Sequence, residues 1–370
     1  MIYITDYRIA YSTVVELMDD IIYPQKVVWM PDTYANVKSG MVYPVHKVAE
    51  KVLDPILMEK IRENKVGKTA FILASGSSNF AGSFDRKYNS RFNYQYKLLP
   101  LTLTHVYAGR TAQHFGADDY TATDSSACAS SMKVMQDVQS LIKFYGFDRV
   151  IVLTVEDSVS NSSLEFFGES KTSLTAEKEK TGIKPSAFDS VNHSFYVGQG
   201  AALAVFDSEK VVKRTGVTPI ARLCGAYSTS ETSTNAIGQR KDGQGFSKAI
   251  EGALEMANVA KQDIVIVKTH GTGTPSNNLC EGTAIKNSLC DFVATSYKQT
   301  IGHTMGASGL LESLMMFEDI KKNEIPAIPN RTEEDKVFLS SPVAPPEGLI
   351  LGLAAGMGNI YAAAIFDTRI

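Results

Sequence analysis

Between residues 124 and 155 the chain runs Asp124-Ser-Ser-Ala-Cys-Ala-Ser-Ser131, then a helical pattern, then Arg149-Val-Ile-Val-Leu-Thr-Val155. Cys128, Met132, Met135, Val138, Ile142 and Tyr145 recur at steps of three or four residues, which is one face of an amphipathic helix. The run that follows is almost continuously apolar, as a strand buried on both faces requires. The same order returns further on, where Phe246, Ile250, Leu254 and Val259 precede Asp263-Ile-Val-Ile-Val267. Strands alternating with helices predict an α/β architecture with a largely parallel, buried sheet.

Working outward, the chain shows a faint internal repeat. Ala202-Leu-Ala-Val-Phe-Asp207 returns as Ala362-Ala-Ala-Ile-Phe-Asp367, each copy after a Gly-x-Gly: Gly198-Gln-Gly200 and Gly356-Met-Gly358. Ala127-Cys-Ala-Ser130 opens one helix, and Gly306-Ala-Ser-Gly309 opens another in the second half. The shared order predicts a duplication, with an N-terminal half over residues 1–210, a C-terminal half over 217–370, and a cleft between them. The polar stretch from Glu165 to Pro185, with little periodicity, reads as a surface excursion that covers the site or meets a partner.

Composition narrows the function. Lys and Arg number 37 against 40 Asp and Glu, a formal charge of -3, so no global basic field recruits nucleic acid. Cys128, Cys224, Cys280 and Cys290 are too few and too scattered for a disulfide framework, and none has zinc-site spacing. A reducing compartment follows. Asp6, Arg8, Glu16, Asp19 and Asp20 argue against a signal peptide. Gly348 to Phe366 carries no charge, but four glycines and Asn359 interrupt it. It predicts two buried strands, Leu349–Ala355 and Ile360–Phe366, around a Gly-rich turn, and no membrane span.

Three residues stand out chemically. Cys128 sits where a run of small residues meets a helix start, and the positive end of the macrodipole there favours thiolate. His270 opens Thr269-His-Gly-Thr-Gly-Thr-Pro275 after a buried strand, and His303 lies in Ile301-Gly-His-Thr-Met-Gly-Ala-Ser-Gly309 before a helix. Such loop positions are where α/β proteins carry their sites. Glu281 and Lys298 lie near the two histidines in sequence; they read either as a surface pair or as a partly buried pair fixing the two histidine loops. Gly271-Thr-Gly-Thr-Pro275 lacks the Lys-Ser/Thr of a P-loop, and His46, His105, His114 and His193 read as core or surface residues.

These residues together resemble the β-ketoacyl synthases of the thiolase superfamily, in the elongating type with a Cys-His-His site. Ser126-Ala-Cys-Ala-Ser130 resembles the nucleophile motif, and the His270 and His303 segments resemble the two histidine motifs. Lys298 and Glu281 fall where the family has its Lys and Glu. Phe188-Asp189 with Val197-Gly-Gln-Gly-Ala201 is similar to the family's FD and VGEGA segment, and Gly356-Met-Gly358 to its C-terminal GFGG. The resemblance runs from about Leu99 to Phe366. Gln199 stands for the usual Glu, Asn278 for an Asp, Met357 for the gating Phe, and Asn359 for the last Gly. These departures suggest a specialised polyketide or polyene pathway.

The resemblance implies a thiolase-like duplicated fold, layered αβαβα with two similar halves. It implies a cytoplasmic acyltransferase that performs decarboxylative Claisen condensation, with no cofactor and no metal. In that reading Cys128 becomes acylated, His270 and His303 hold the malonyl thioester carbonyl, and the backbone N–H groups of Cys128 and Met357 form the oxyanion hole. Lys298 supports His303 with Glu281 as counter-charge, while Phe188 and Met357 gate or line the substrate pocket. The implied partners are acyl carrier protein and a second subunit, either identical or a related chain-length factor. Other readings are a non-catalytic chain-length-factor-like subunit, a priming-type acyl-CoA enzyme, or a degradative thiolase. The two histidines and the absence of a late Cys near Gly356–Asn359 weigh against the last two.

Overall fold

The computed structural model describes residues 1–14, 17–18, 21–24, 27–30, 48–77, 103–159, 166–174, 176–232 and 238–370. Among the described residues the main sheet has eleven strands, ten along one continuous path and the eleventh, Val27–Met30, paired antiparallel with Tyr11–Val14. Of the ten, the first five are β1 (Ile2–Val14), β2 (Thr69–Ala74), β3 (Tyr120–Asp124), β4 (Arg149–Glu156) and β5 (Gly200–Ser208), in the spatial order β3-β2-β4-β5-β1. The next five are β6 (Ala221–Ser230), β7 (Ile264–Lys268), β8 (Val293–Thr295), β9 (Leu349–Gly356) and β10 (Ile360–Asp367), in the order β8-β7-β9-β10-β6. Both sets read third, second, fourth, fifth, first. The second strand of each set is parallel to its third and fourth, and the last two pairings are antiparallel. The two halves meet where Ile2–Ile4 of β1 pairs with Ala221–Leu223 of β6.

Side-chain alternation explains why these strands look apolar throughout. Along β4, Val150 and Val152 face one core, while Ile151, Leu153 and Val155 face another. Along β10, Ala362, Ala364 and Phe366 face inward, while Ala363 and Ile365 face outward. A strand covered on both faces has no polar side to show. Two helices fill the space between the halves: α3 (Ser130–Lys143), with Met132, Met135 and Val138, and α6 (Ser308–Lys321), with Leu310, Leu311 and Leu314. Outside the first half lie α1 (Pro55–Glu63) and α2 (Thr104–Phe115); outside the second lie α4 (Gln244–Ala257) and α5 (Pro275–Ser288). The result is five layers, αβαβα, with two similar halves.

The local readings hold with two changes at helix ends. Tyr145 and Val259 lie beyond α3 and α4; Asn258 ends α4 in the left-handed region (φ 53°), and Tyr145 is exposed. The uncharged segment from Gly348 to Phe366 is the antiparallel pair β9 and β10. Among the described residues no helix is long and apolar enough to cross a membrane. Leu99, His46 and Glu165 lie outside the described residues.

The Phe188-Asp189 segment has a different place from the expected one. The Phe188 ring stacks on Phe338 at 3.9 Å between centroids, in the outer core of the second half and not at a cavity wall. Asp189 ties this segment to a distant loop. Its Oδ1 accepts the N–H groups of Val191 and Asn192 at 2.9 and 2.7 Å, and its Oδ2 accepts from Thr332 and Glu333. Burial alone would raise this carboxyl, but the donors from Asn192, Thr332 and Val191 outweigh it and hold it down to about 2. A depressed carboxyl stabilises the fold above its unfolded pKa and loses that contribution as pH falls through the folded value. Asp189→Asn is therefore expected to cost roughly 2 kcal/mol at neutral pH. In urea melts the gap from the wild type narrows as pH falls below about 4.

Candidate active site

Each half carries the same strained turn before its central helix. Residues Ala127–Ala129 form a 3₁₀ turn ahead of α3, and Met305–Ala307 form one ahead of α6. Ala127 (φ 47°) and Met305 (φ 42°) both sit in the left-handed region, where a residue other than glycine costs about 1–3 kcal/mol. Ala129-Ser130 matches Ala307-Ser308, so Cys128 stands opposite Gly306, one residue off the register that the sequence repeat suggested. The two turns touch. A Cβ on Gly306 would lie 2.2 Å from the Gly76 nitrogen, and one on Gly76 would lie 2.5 Å from the Ala127 carbonyl oxygen. Only glycines allow that approach.

The turn presents Cys128 with its Sγ 4.0 Å from the Met305 sulfur, in a small apolar cluster with Phe195 and Val197. Here the expectation of a favoured thiolate fails. Burial pushes the Cys128 thiol up to about 12; Lys298 pulls it down, while Glu156 and Glu312 add to the rise. Desolvation outweighs the helix-end field, and the sulfur rests as a thiol. Behind it lies Glu156, buried at the end of β4 and missed in the sequence reading. Its carboxylate accepts Ser75 Oγ at 2.5 Å and Ser77 Oγ at 2.8 Å, bracing the loop through Gly76. An acid closing a wholly buried strand was the available signal.

His270 follows β7. Its backbone N–H and that of Gly271 both donate to Glu281, which also accepts Asn277 Nδ2 at 2.7 Å. Glu281 therefore holds the shape of the His270 loop. The His270 Nδ1 is buried with no partner among the described residues. His303 is pinned from the other side: its N–H donates to Tyr196 O at 2.7 Å, and its carbonyl accepts from Gly198 at 2.9 Å. A Cβ at Gly198 would lie 2.7 Å from Ile301 O, so the Val197-Gly-Gln-Gly-Ala201 segment needs its first glycine for this crossing. The Met305 N–H donates to His303 Nδ1 at 3.2 Å, and Ser308 Oγ lies 3.1 Å from the same atom. A neutral ring that accepts at Nδ1 carries its proton on Nε2. The two imidazoles stand 5.7 Å apart between centroids and nearly perpendicular. Burial first, then the charge of Lys298, holds both rings well below the usual histidine range.

The expected pairing of Lys298 with Glu281 is replaced by another. Lys298 Nζ donates to Glu312 at 2.8 and 3.1 Å, and Lys268 Nζ donates to the same carboxylate at 3.1 Å and to Leu353 O at 2.9 Å. All three side chains are fully buried. Glu312 lies in the apolar run Leu310-Leu-Glu-Ser-Leu314, and Lys268 ends an apolar strand. Those lone charges were legible signals, but the places of Glu281 and Lys298 beside the two histidine motifs favoured Glu281.

Two adjoining cavities converge on the sulfur. One, of about 310 Å³, is walled by Gly76, Ala127, Cys128, Phe166, Phe167 and Met305. The other, of about 240 Å³, holds Cys128, His270 and His303 together, with Thr272 and Thr274 among its polar lining. Phe166, Phe167 and the half-exposed Met357 wall both. The excursion after residue 165 thus covers the site, as expected. Phe188, His105, His114 and His193 line neither cavity.

Against known families, the β-ketoacyl synthase N-terminal domain matches residues 54–211 and the C-terminal domain matches residues 220–332. The chain belongs to the β-ketoacyl synthase family. A 3-oxoacyl-[acyl-carrier-protein] synthase 2 of Staphylococcus aureus is 24% identical over 266 residues, 70% of this chain and 65% of that protein. The match thus takes in less than two thirds of that relative's length. The ishigamide ketosynthase/chain length factor superposes with a TM-score of 0.77 at 16% identity, over 100% of this chain and 99% of the other. A type II PKS ketosynthase, bound to the hexaketide and in complex with its acyl-carrier protein, gives 0.74 at 19% identity, over 82% of this chain and 78% of that one. These likenesses establish the thiolase-like fold for this β-ketoacyl synthase family member.

The raised Cys128 thiol has a direct consequence. Its alkylation by iodoacetamide, followed by peptide mass spectrometry, is expected to rise about tenfold per pH unit from about pH 7 to 10 with no plateau. A plateau below about pH 8 would mean that the helix-end field dominates after all.

Proposed function

We propose that this chain is a β-ketoacyl-acyl-carrier-protein synthase, which joins an acyl group held on Cys128 to a malonyl thioester with loss of CO₂. The observation that supports it most is that Cys128, His270 and His303 line one cavity, with the His303 proton assigned to Nε2.

In the first half-reaction the Cys128 sulfur attacks an acyl thioester carbonyl while its proton passes to a neutral imidazole of the pair. The incoming carrier thiol leaves with a proton, and the acyl group stays on sulfur. The backbone N–H groups of Cys128 and Met357 hold the tetrahedral oxyanion. In the second half-reaction malonyl thioester enters beside Thr272 and Thr274, and its thioester oxygen accepts from both imidazoles. Its C–C bond to the carboxylate breaks, CO₂ leaves, and the electron pair becomes an enolate. The enolate carbon then attacks the acyl-Cys carbonyl, and the Cys128 thiolate departs and regains a proton. The apolar cavity beside Phe166, Phe167 and Met305 takes the acyl chain, with Met357 at the junction. Buried neutral imidazoles suit this task, because each offers an N–H without carrying a charge that the carboxylate would trap.

An acyl carrier protein is the natural donor for both halves, and the complex known for a related fold supports that reading. A dimer is also proposed. At one end of the sheet, β8 is covered, since Ala294 N donates to Val337 O and Leu339 N donates to Ala294 O. At the other end, β3 has no strand beside its outer edge among the described residues, and Tyr120 is exposed. An open edge invites a second strand, from an identical or a related subunit. The repeated strand order supports the division into duplicated halves at 1–210 and 217–370. The free thiols fit a cytoplasmic setting.

Cys128→Ala is expected to abolish acyl transfer, read as the loss of an acyl mass increment on the intact protein. His303→Ala is expected to leave acylation within about threefold and to slow condensation at least about a hundredfold, as removal of a preorganised oxyanion donor does. Retained labelling in the first variant, or unchanged condensation in the second, contradicts the assignment. Thr121→Pro on the outer edge strand is expected to give a monomer by light scattering if β3 joins two subunits.

A further inference from the structure

Lys268 has no part in the roles above, yet it is fully buried beside them. It is the last residue of β7, two positions before His270. Its ammonium reaches Glu312 on α6 at 3.1 Å and the Leu353 carbonyl on β9 at 2.9 Å. Lys298 already satisfies Glu312 through both oxygens, at 2.8 and 3.1 Å. Two ammonium groups on one buried carboxylate leave a formal surplus of one positive charge. Burying an incompletely compensated charge is costly, and a further anion close by would relieve that cost. Glu281 offsets the surplus only in part: its carboxylate acts on both lysines from the His270 loop, where it accepts from the His270 and Gly271 N–H groups and Asn277, and its pull on Lys268 is weaker than that of Glu312.

We propose that Lys268 is a positioning residue, and that the charge it shares with Lys298 over Glu312 keeps His270 and His303 as uncharged N–H donors and favours the anion that forms between them. This rests on the reaction proposed above. The groups facing the two rings are Lys268, Lys298, Cys128, Glu281, Glu312 and, behind the sulfur, Glu156. Lys268 bears on both imidazoles in the direction that lowers their proton affinity, and Lys298 acts the same way. Burial lowers Lys268 itself, against the pull of Glu312. An anion forming at the imidazoles would relieve that cost, so the surplus charge becomes favourable as the enolate develops. At rest the same charge keeps an imidazolium from forming and trapping the malonyl carboxylate.

The test is a histidine ¹³Cε1 NMR titration of the full chain from about pH 5.5 to 8, which needs no turnover. In the wild type the signals of His270 and His303, assigned by His→Gln replacement, are expected to stay neutral throughout. Lys268→Met is expected to raise the pKa of at least one ring by about one unit and bring it into the window. Lys268→Arg, which keeps the charge, should titrate like the wild type. If Lys268→Met loses its cooperative melt, Lys268→Gln, which retains a donor for the Leu353 carbonyl, carries the comparison. Unchanged titrations in a folded neutral variant would reduce Lys268 to a structural brace and overturn the proposal. Malonyl-carrier decarboxylation by the wild type is measured in parallel. Its absence would overturn the proposed reaction, while the titration still decides the role of Lys268.

Discussion

The site exists because two helix-start turns from opposite halves cross at backbone contact. Gly306 lies against Gly76 and the Ala127 carbonyl, with no room for a Cβ on either glycine. That crossing sets the Met305 sulfur beside Cys128 and, two residues earlier, fixes where the His303 ring stands. Left-handed Ala127 and Met305 are part of the same constraint, since a relaxed backbone at either would turn the chain away from the contact. Glu156 and its serine donors hold the Gly76 loop against the crossing.

Around that contact, electrostatics is governed by burial. The sulfur, both imidazoles, two lysines and three glutamates are all buried, and water cannot moderate their charges. The cysteine is consequently a thiol and the histidines are neutral, so the resting site carries its charges behind the reactive groups. Glu281 shapes the His270 loop through backbone N–H groups, whereas Glu312 gathers the cations. The two acids are alike in type and burial, but they serve separate ends because different elements present them.

Several departures from the family pattern now have a physical setting. Met357 occupies the turn between β9 and β10, where it walls both cavities and is half-exposed, so a flexible thioether stands where the family has an aromatic ring. Asn359 is in the left-handed region (φ 58°), which Asn tolerates better than most residues, so loss of the last glycine leaves the turn intact. Asn278 has a buried side-chain oxygen with no partner among the described residues. Nothing in the structure explains Gln199.

Much of this was written in local pattern. Continuous apolar runs placed β4 and β7, steps of three or four residues placed α3 and α4, and the paired Phe-Asp endings of β5 and β10 exposed the duplication, because those signals depend on neighbours along the chain. Cys128, His270 and His303 were legible for the same reason, each flanked by the small residues that a tight turn demands. Which buried acid faces which lysine was not. Glu281 and Lys298 each lie close to one of the two histidines in sequence, but α6 brings Glu312 to the ammonium and the His270 loop takes Glu281. Nor could local pattern show that Phe188 stacks in the outer core, or that desolvation overrides the helix end at Cys128. Spacing along a chain determines elements and turns, while contact between elements and exclusion of water arise only when the layers close, and those decided the charges and partners at the site.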